Sequence, residues 1–226
     1  MIKFQDVTKI YLPKTVAVKN VNLSIEPGEF VSLVGASGAG KTTLAKLLIA
    51  QERPNTGSII VGDWDITRIK RSEVPFLRRQ IGVVFQDYRL LFHKTVFENV
   101  AFALEVCGAS PRRIKEVVSA VLQIVGLSNK TANFPFEISG GEQQRVVIAR
   151  ALVHQPKIII ADEPTGNLDA INARDVIDTL LKINQFGTTV VLVTHNREIV
   201  NDLKKRVVVM HQGEIISDKV KGKYAL

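Results

Sequence analysis

Hydrophobic residues in this chain form short continuous runs that alternate with segments where they recur every three or four positions. Continuous runs rich in β-branched residues are typical of strands that are buried on both faces of a sheet. Six segments show this pattern and are predicted as strands: Glu29 to Val34, Ile81 to Gln86, Lys157 to Asp162, Thr188 to Thr194, Arg206 to Met210 and Glu214 to Ser217. The helical patterns between them predict an α/β fold with a mostly parallel sheet.

Two regions depart from this pattern. The segment from Ile2 to Ile25, together with Ser58 to Val61, is more typical of antiparallel strands and predicts a small N-terminal β layer. Residues 88–150 contain no convincing strand and predict an inserted α-helical part. No linker separates independent units, so we expect a single domain over residues 1–226 with a helical subdomain at about 88–150.

Composition narrows the class of protein. The apolar runs, such as Ile158 to Ala161, are far shorter than the ~18 residues of a transmembrane helix. The first residues show no signal-peptide pattern. The single cysteine, Cys107, cannot form an internal disulfide and suits a reducing compartment; we expect it to be a small buried side chain. These features predict a cytoplasmic protein.

The formal net charge of +8 and the pI of about 9.6 raise the question of an anionic partner. The basic residues gather in short clusters: Arg68 to Arg71, Arg78 with Arg79, Arg112 to Lys115, Lys204 to Arg206, and Lys219, Lys221 and Lys223. None of these clusters has the interleaved aromatic residues of a single-strand nucleic-acid platform. We therefore favour an ordinary solvated surface close to an anionic membrane, and no nucleic-acid partner.

A phosphate-binding motif follows the first predicted buried strand. Residues 35–42 read G-A-S-G-A-G-K-T and match G-x-x-x-x-G-K-[ST]. Glycines let successive N–H groups face an anion, and the following helix adds its positive N-terminal end. Lys41 supplies a cation for the β and γ phosphates, and Thr42 supplies a hydroxyl for Mg²⁺. The predicted nucleotide-binding residues are Gly35, Ser37, Gly38, Ala39, Gly40, Lys41, Thr42 and Thr43.

A second predicted buried strand, Lys157 to Asp162, ends in two acidic residues. An unpaired carboxylate at the end of a buried strand would be costly, so Asp162 and Glu163 indicate a site. Asp162 is placed to hold magnesium through water, and Glu163 to polarise an attacking water molecule. Together with the phosphate loop, they predict a nucleoside triphosphatase.

A second anion site is predicted where Ser139 and two glycines open an apolar-faced helix. The serine hydroxyl and the free N–H groups of a helix start both favour an anion. Because the chain has only one phosphate loop, this second site is expected to serve the nucleotide of another subunit.

At this point the chain resembles the ATP-binding-cassette family over nearly its whole length. Residues 139–143, S-G-G-E-Q, are similar to the family's signature motif, with Ile138 and Glu142 where leucine and glutamine are commonest. The resemblance implies a P-loop NTPase core of the RecA type, with ATP and Mg²⁺ as cofactors. It also implies a homodimer in the ATP-bound state, in which Ser139, Gly141 and Glu142 contact the nucleotide in trans.

The resemblance assigns further roles. Gln86 would sense magnesium and touch a transmembrane partner, and His195 would contact the γ-phosphate. Tyr11 would stack on adenine, although an ordinary tyrosine of the β layer remains an open alternative. Asn167 and Asp169 would lie in a loop exchanged between subunits. The implied catalytic residues are Glu163, His195 and Lys41, and the implied metal-binding residues are Thr42, Gln86 and Asp162.

Residues 73–82, 108–110, 125–127 and 133–135 resemble the branch of this family that serves bacterial cell division. Residues 162–169, D-E-P-T-G-N-L-D, are shared more widely with lipoprotein-releasing and macrolide-exporting ATPases, which remain the alternative. The resemblance implies an ATPase on the cytoplasmic face of the inner membrane that moves an integral membrane partner. The apolar segment Tyr88 to Glu105 is the candidate docking surface, although some of its side chains could form the core of the helical part.

Three other classes are disfavoured. A scaffold that only clamps on ATP would not need Glu163. A translation factor of the same superfamily would need a second cassette or a long insertion. A GTPase would need an aspartate to bind guanine, which the segment Asn129 to Ala132 lacks.

Overall fold

The computed structural model describes residues 1–224 and confirms the α/β fold. The strands are β1 (Ile2–Tyr11), β2 (Thr15–Ile25), β3 (Phe30–Val34), β4 (Thr56–Val61), β5 (Trp64–Asp65), β6 (Ile81–Phe85), β7 (Ile158–Asp162), β8 (Thr189–Thr194), β9 (Arg206–His211) and β10 (Glu214–Lys219). The helices are α1 (Lys41–Leu48), α2 (Val74–Arg79), α3 (Val96–Glu105), α4 (Pro111–Ile124), α5 (Gly140–Leu152), α6 (Ala170–Gln185) and α7 (Arg197–Leu203). Within residues 1–224, every helix is too short or too polar to cross a membrane.

Within residues 1–224, ten strands form two sheets. The larger sheet has the order β10-β9-β3-β8-β7-β6, and all its neighbouring strands are parallel except the β9–β10 pair. The smaller sheet is antiparallel, with the order β2-β1-β4-β5. All residues of β3, β7 and β8 are buried, as their continuous apolar sequences predicted. The short strand β5 carries no comparable pattern and was missed.

Side chains alternate across the larger sheet and divide the core into two clusters. On one face, Val31 and Ile160 pack with the small β layer and α1. On the other face, Ile159 and Val190 pack with α3 to α6, for example through Leu180. The sheet is therefore covered on both sides, which is the arrangement that parallel strands require.

Parallel pairing brings the carboxyl-terminal ends of four strands to the same end of the sheet. The phosphate loop follows β3, Gln86 follows β6, Glu163 follows β7 and His195 follows β8. Strand β6 ends at Phe85, one residue earlier than predicted, so Gln86 is the first residue of the loop. Candidate functional residues that are far apart in sequence therefore lie side by side at the carboxyl-terminal end of the sheet.

Two polar side chains hold the irregular segment after β6. Asn99 of α3 is fully buried; its Oδ1 accepts the Leu91 N–H at 2.7 Å, and its Nδ2 donates to the carbonyl oxygens of Leu91, Lys94 and Thr95 at 2.9–3.0 Å. Arg150 of α5 donates to the carbonyl oxygens of Tyr88 and Arg89 at 3.0 and 2.8 Å. These bonds replace the backbone pairing that the loop cannot make itself.

The segment Tyr88 to Glu105 divides between the core and the surface. Leu90 and Val96 are buried in the core cluster of the helices. Phe92 and Phe102 are exposed, at 56% and 42%. Only part of the apolar set proposed for docking is therefore accessible.

The expectation that Cys107 is buried is wrong. Cys107 is exposed, in the turn that closes α3, where its N–H donates to Leu104 O at 3.1 Å. Its Sγ lies 3.9 Å from His154 Nε2. The turn carries the side chain away from the core, which the residue type alone does not indicate.

Candidate active site

The phosphate loop is folded tightly between two neighbouring segments. A side chain at Gly40 would collide with the carbonyl oxygen of Ala17 in β2, and one at Gly35 would collide with that of Met210 in β9. The β9–β10 turn is joined to the loop, because the Gly213 N–H donates to Ala39 O at 3.1 Å. The glycines of the loop are thus required by close packing as well as by the turn itself.

Lys41 is the first residue of α1 and is largely buried. Its Nζ donates to the carbonyl oxygens of Gly35 and Ala36 at 2.8 and 3.0 Å, so the side chain folds back over the loop. Burial lowers the pKa of Lys41, whereas the negative charges of Glu163 and Asp162 act in the opposite direction. The loop therefore presents a partly desolvated cation close to two carboxylates.

Asp162 and Thr42 meet at the buried end of β7. The Thr42 hydroxyl donates to Asp162 Oδ1 at 3.4 Å. Burial raises the pKa of Asp162, and the negative charge of Glu163 acts in the same direction, while Thr42 and Lys41 oppose the shift. A buried carboxylate in this setting is stabilised by a cation.

Thr42, Asp162, Glu163 and Gln86 line a cleft of about 360 Å³. The hydroxyl, carboxylate and amide oxygens of this cleft are hard ligands, the kind that Mg²⁺ prefers. The residues predicted to bind metal therefore lie together, and their chemistry fits magnesium.

Glu163 and His195 form a direct pair. His195 Nδ1 lies 2.8 Å from Glu163 Oε1, and the Glu163 N–H donates to Val193 O at 2.9 Å. Glu163 has a φ of 49°, in the left-handed region that non-glycine residues rarely adopt. Such strain is common at functional sites, and here it turns the chain directly after β7.

Gln86 reaches the loop that carries Asn167. Its Nε2 donates to Asn167 Oδ1 at 3.2 Å, and Gly166 packs against the same amide. The Gln144 side chain of α5 donates to Phe85 O at 3.2 Å, directly before Gln86. The loop of Gln86 is expected to touch a transmembrane partner, and the loop of Asn167 is expected to lie between subunits. These two loops are in contact within one chain.

Ser139 caps the start of α5 through a reciprocal pair of bonds. The Ser139 hydroxyl accepts the Glu142 N–H at 3.2 Å, and Glu142 Oε2 accepts the Ser139 N–H at 2.8 Å. The latter bond is the main reason that the pKa of Glu142 is lowered. Glutamate and glutamine both serve at this position of a capping box, which gives a physical reason for the departure from the commonest signature sequence.

Asn172 of α6 joins the helix start at Gly141 to the loop at Asp169. Asp169 caps α6, with Oδ1 accepting the Asn172 N–H at 2.9 Å, and the Asn172 side-chain amide donates to Asp169 Oδ2 at 2.6 Å. A side chain at Gly141 would collide with Asn172. In the described part of the chain, no hydrogen bond joins Ser139, Gly141 or Glu142 to the phosphate loop.

Tyr11 ends β1, on the hairpin that borders the phosphate loop. It pairs with Thr15, two residues before Ala17, and its ring is half-buried under Lys9 Nζ at 5.0 Å from the ring centroid. This location is compatible both with adenine stacking and with an ordinary role in the β layer.

Sequence reasoning missed Gln144, Arg150 and Asn172. Their polar side chains contact the backbone of neighbouring loops or the capping residue of the next helix. The signal available for Gln144 and Arg150 was the presence of polar residues between the apolar positions of α5.

We predict that Gly141→Ala destabilises the fold because the new methyl group collides with Asn172. Overpacking of this kind costs about 1–3 kcal/mol, which should appear as a lower midpoint of urea unfolding. Gly140→Ala is the matched control, since its methyl group would lie 3.1 Å from the Tyr88 hydroxyl and 3.4 Å from Leu168. Asn172→Ala should restore part of the loss in the Gly141→Ala background. Equal midpoints for the two alanine variants would contradict the collision.

The sequence of this chain matches a known family and several named relatives. A family model described as ABC transporter matches residues 18–166. The chain is 51% identical over 224 residues to the cell division ATP-binding protein FtsE of Bacillus subtilis, covering 99% of this chain and 98% of that protein. It is 46% identical over 215 residues to FtsE of Escherichia coli, covering 95% and 97% of the two chains.

Solved structures show the same fold. One is the dimeric post-hydrolysis state of the ATP-binding cassette MJ0796 bound to ADP and Pi, with a TM-score of 0.87, 33% identity, and coverage of 99% of this chain and 100% of that one. Another is cbiO1 of Clostridium perfringens, part of the ABC transporter complex cbiONQ, with a TM-score of 0.91, 29% identity, and coverage of 97% and 88%. On this evidence of sequence and fold, the chain belongs to the ABC transporter family and is an ATPase of that family.

Proposed function

We propose that the chain is the ATP-hydrolysing subunit of a membrane complex that acts in bacterial cell division. The observation that carries the hydrolytic part is the Glu163–His195 pair at 2.8 Å, beside Lys41 and the Asp162 cleft. The assignment to cell division rests on relatives of 46–51% identity that match over nearly their whole length.

The mechanism follows from the arrangement of these side chains. Lys41, Thr43 and the backbone N–H groups of the phosphate loop bind the phosphates of ATP, and Tyr11 stacks on its adenine ring. Glu163 accepts a hydrogen bond from the attacking water molecule and polarises it. His195 fixes the orientation of Glu163 and contacts the γ-phosphate, where negative charge must be stabilised in the transition state.

Thr42, Asp162 and Gln86 would hold Mg²⁺, which neutralises charge on the phosphate oxygens when it is bound. The raised pKa of Asp162 supports this assignment, because the effect of burial on the carboxylate outweighs the opposing effects of Thr42 and Lys41. The contact between Gln86 and Asn167 links the metal-binding side chains to the next loop.

ATP binding produces a homodimer in which each nucleotide lies between two chains. Ser139, Gly141 and Glu142 contact the nucleotide of the partner, and Asn167 and Asp169 lie at the dimer interface. Two observations support this arrangement. The capped start of α5 makes no hydrogen bond to its own phosphate loop within residues 1–224, and MJ0796 has been solved as a dimer.

The dimer acts on an integral membrane partner of the FtsX type, at the cytoplasmic face of the inner membrane. Exposed Phe92 and Phe102 supply apolar anchors, and the loop that carries Phe92 is fixed by Asn99. ATP-driven closing and opening moves this partner and so regulates peptidoglycan hydrolysis. A lipoprotein-releasing or macrolide-exporting complex is the alternative outcome of the partner experiment below.

We expect Glu163→Gln to bind ATP without hydrolysing it and to accumulate as a dimer. Light scattering across concentrations should show a monomer without nucleotide and a dimer with ATP and Mg²⁺. The control is Glu163→Gln combined with Ser139→Asp, which keeps a helix-capping side chain but repels the partner's γ-phosphate. This double variant should stay monomeric. A dimer in both variants would refute the assignment of Ser139 to the partner's nucleotide, and retained turnover in Glu163→Gln would refute the catalytic assignment.

A second prediction concerns the pH dependence of stability at Asp162. Because burial raises its folded-state pKa above the ordinary 3.8, ionisation costs stability in the folded chain. This cost is absent below the ordinary value and fully present above the folded pKa. We therefore expect Asp162→Asn to raise the melting temperature near neutral pH without metal, and the gain to disappear as the pH falls.

Addition of ATP with Mg²⁺ should reverse the ranking in that experiment, because only the wild-type chain has the carboxylate to stabilise the metal. Glu105→Gln, which removes an exposed carboxylate of α3 that forms no ion pair within residues 1–224, is the control and should leave the melting temperature unchanged. An Asp162→Asn chain stabilised by ATP and Mg²⁺ as strongly as wild type would argue against the metal assignment.

Removal of the two exposed phenylalanines should separate partner binding from ATP turnover. We expect Phe92→Ala combined with Phe102→Ala to lose co-purification with a co-expressed FtsX-type protein and to retain basal ATPase activity. Phe186→Ala, at the end of α6 and 81% exposed, is the control and should keep both properties. Retention of the partner by the double variant would place the docking surface elsewhere. Specific capture of an exporter subunit in place of an FtsX-type protein would favour the alternative complex.

A further inference from the structure

Five lysines converge at one corner of the larger sheet: Lys204, Lys205, Lys219, Lys221 and Lys223, here called the lysine corner. Antiparallel pairing of β9 and β10 sets Lys219 opposite Val207, two residues after Lys205. The Gly222 N–H donates to Lys205 O at 3.3 Å, which brings the two lysines that flank Gly222 to the same place. Residues from two separate stretches of sequence therefore form one basic surface.

The positive charge of the lysine corner is not compensated by ion pairs within residues 1–224. All five lysines are exposed, and none forms an ion pair in the described part of the chain. The acidic residues closest to these lysines in sequence are already paired, because Asp218 pairs with Arg206 at 2.7 Å and Asp202 pairs with Arg174 at 2.9 Å. A concentrated positive field of this kind attracts an anionic partner.

The last of these lysines stand on an ordered segment. Tyr224, which follows them, is buried against Val200 and Val207, and its N–H donates to Asn201 Oδ1 at 2.8 Å. Arg197 lies over the Tyr224 ring at 5.2 Å. The segment is thus fixed to α7, and its lysines keep a defined spacing.

Protection of an exposed sheet edge does not account for this surface. Lysine on an edge strand commonly prevents pairing with another sheet. Only Lys219 lies within β10, whereas the other four lysines lie outside that strand. Val220, between two of them, is an apolar residue that is 77% exposed.

The position in the fold distinguishes between possible partners. Strand β10 is one edge of the six-stranded sheet, and β6, which leads to the docking segment, is the other edge, about 24 Å away at the usual strand spacing. The corner also lies at the start of β9, at the end of the sheet opposite the phosphate loop. On the proposed function, with the docking segment towards the membrane partner, the corner faces away from the bilayer.

We infer that the lysine corner is a docking site for an acidic segment of a soluble protein partner. Removal of the positive charges should weaken the binding of a fluorescein-labelled polyglutamate peptide, measured by anisotropy on the full chain without nucleotide. We expect Lys219→Gln, Lys221→Gln and Lys223→Gln together to weaken binding about tenfold, or about 1.4 kcal/mol. The control replaces Lys115, Lys157 and Lys182 by Gln, which changes the net charge equally at exposed positions elsewhere. It should retain most of the affinity.

Equal weakening in both triple variants, or no binding by the wild-type chain, would overturn the inference. So would phosphatidylglycerol vesicles or duplex DNA that bind at the corner in preference to the peptide, because the partner would then be a lipid surface or a nucleic acid. The measurement needs neither ATP nor dimerisation, so its result is independent of the Glu163→Gln and Phe92→Ala/Phe102→Ala experiments.

Discussion

Parallel pairing in the larger sheet is the constraint on which the site depends. A carboxylate or an ammonium group at a buried strand end loses much of its hydration, and only neighbouring groups of opposite charge or polar backbone can compensate. Because β3, β7 and β8 run in the same direction, all three strands end at the same end of the sheet, and the groups that follow them compensate one another there. The fold can therefore tolerate the partial burial of Lys41, Asp162 and Glu163. At Asp162 the neighbouring groups compensate only part of the cost of burying the carboxylate, and this favours the binding of a cation.

Helix α5 connects the parts of the molecule that must respond to that site. Its first turn packs on Asn172, its middle holds Phe85 O through Gln144, and its last turn holds the loop after β6 through Arg150. A shift at either end of this rigid helix would therefore be felt at the other end. Contacts of α5 with α6, with β6 and with the loop after β6 lie along the length of one helix, so the helix and these segments are expected to move as one body.

The sequence was informative where function and local structure lie in one contiguous motif. The phosphate loop, the acidic pair after β7 and the capped start of α5 each combine a turn or strand end with its chemistry within a few residues, so their fold context could be predicted. The fold class followed from the apolar runs for the same reason. Thr42, Asp162 and Gln86 line one cleft, as expected for residues that share a metal ion.

Features that arise from contacts between distant segments could not be predicted. The contact between Glu163 and His195 depends on the register of β7 and β8. The hydrogen bonds by which Asn99 holds the loop after β6 depend on the irregular path of that loop. The exposure of Cys107 and the brief strand β5 have no periodic signal at all. Patterns of apolar residues report burial along one element, whereas these features depend on which elements become neighbours.

The pairing of β3 with strands that come much later in the sequence has a consequence for folding during translation. Although β3 and the phosphate loop are made early, β3 pairs with β8 and β9, and the loop is braced by Met210 and Gly213. All of these partners are encoded long after β3, beyond residue 188 of the chain. A nascent chain that already contains the complete phosphate-binding motif therefore cannot build the pocket around it, and nucleotide capture has to wait until these later strands have emerged.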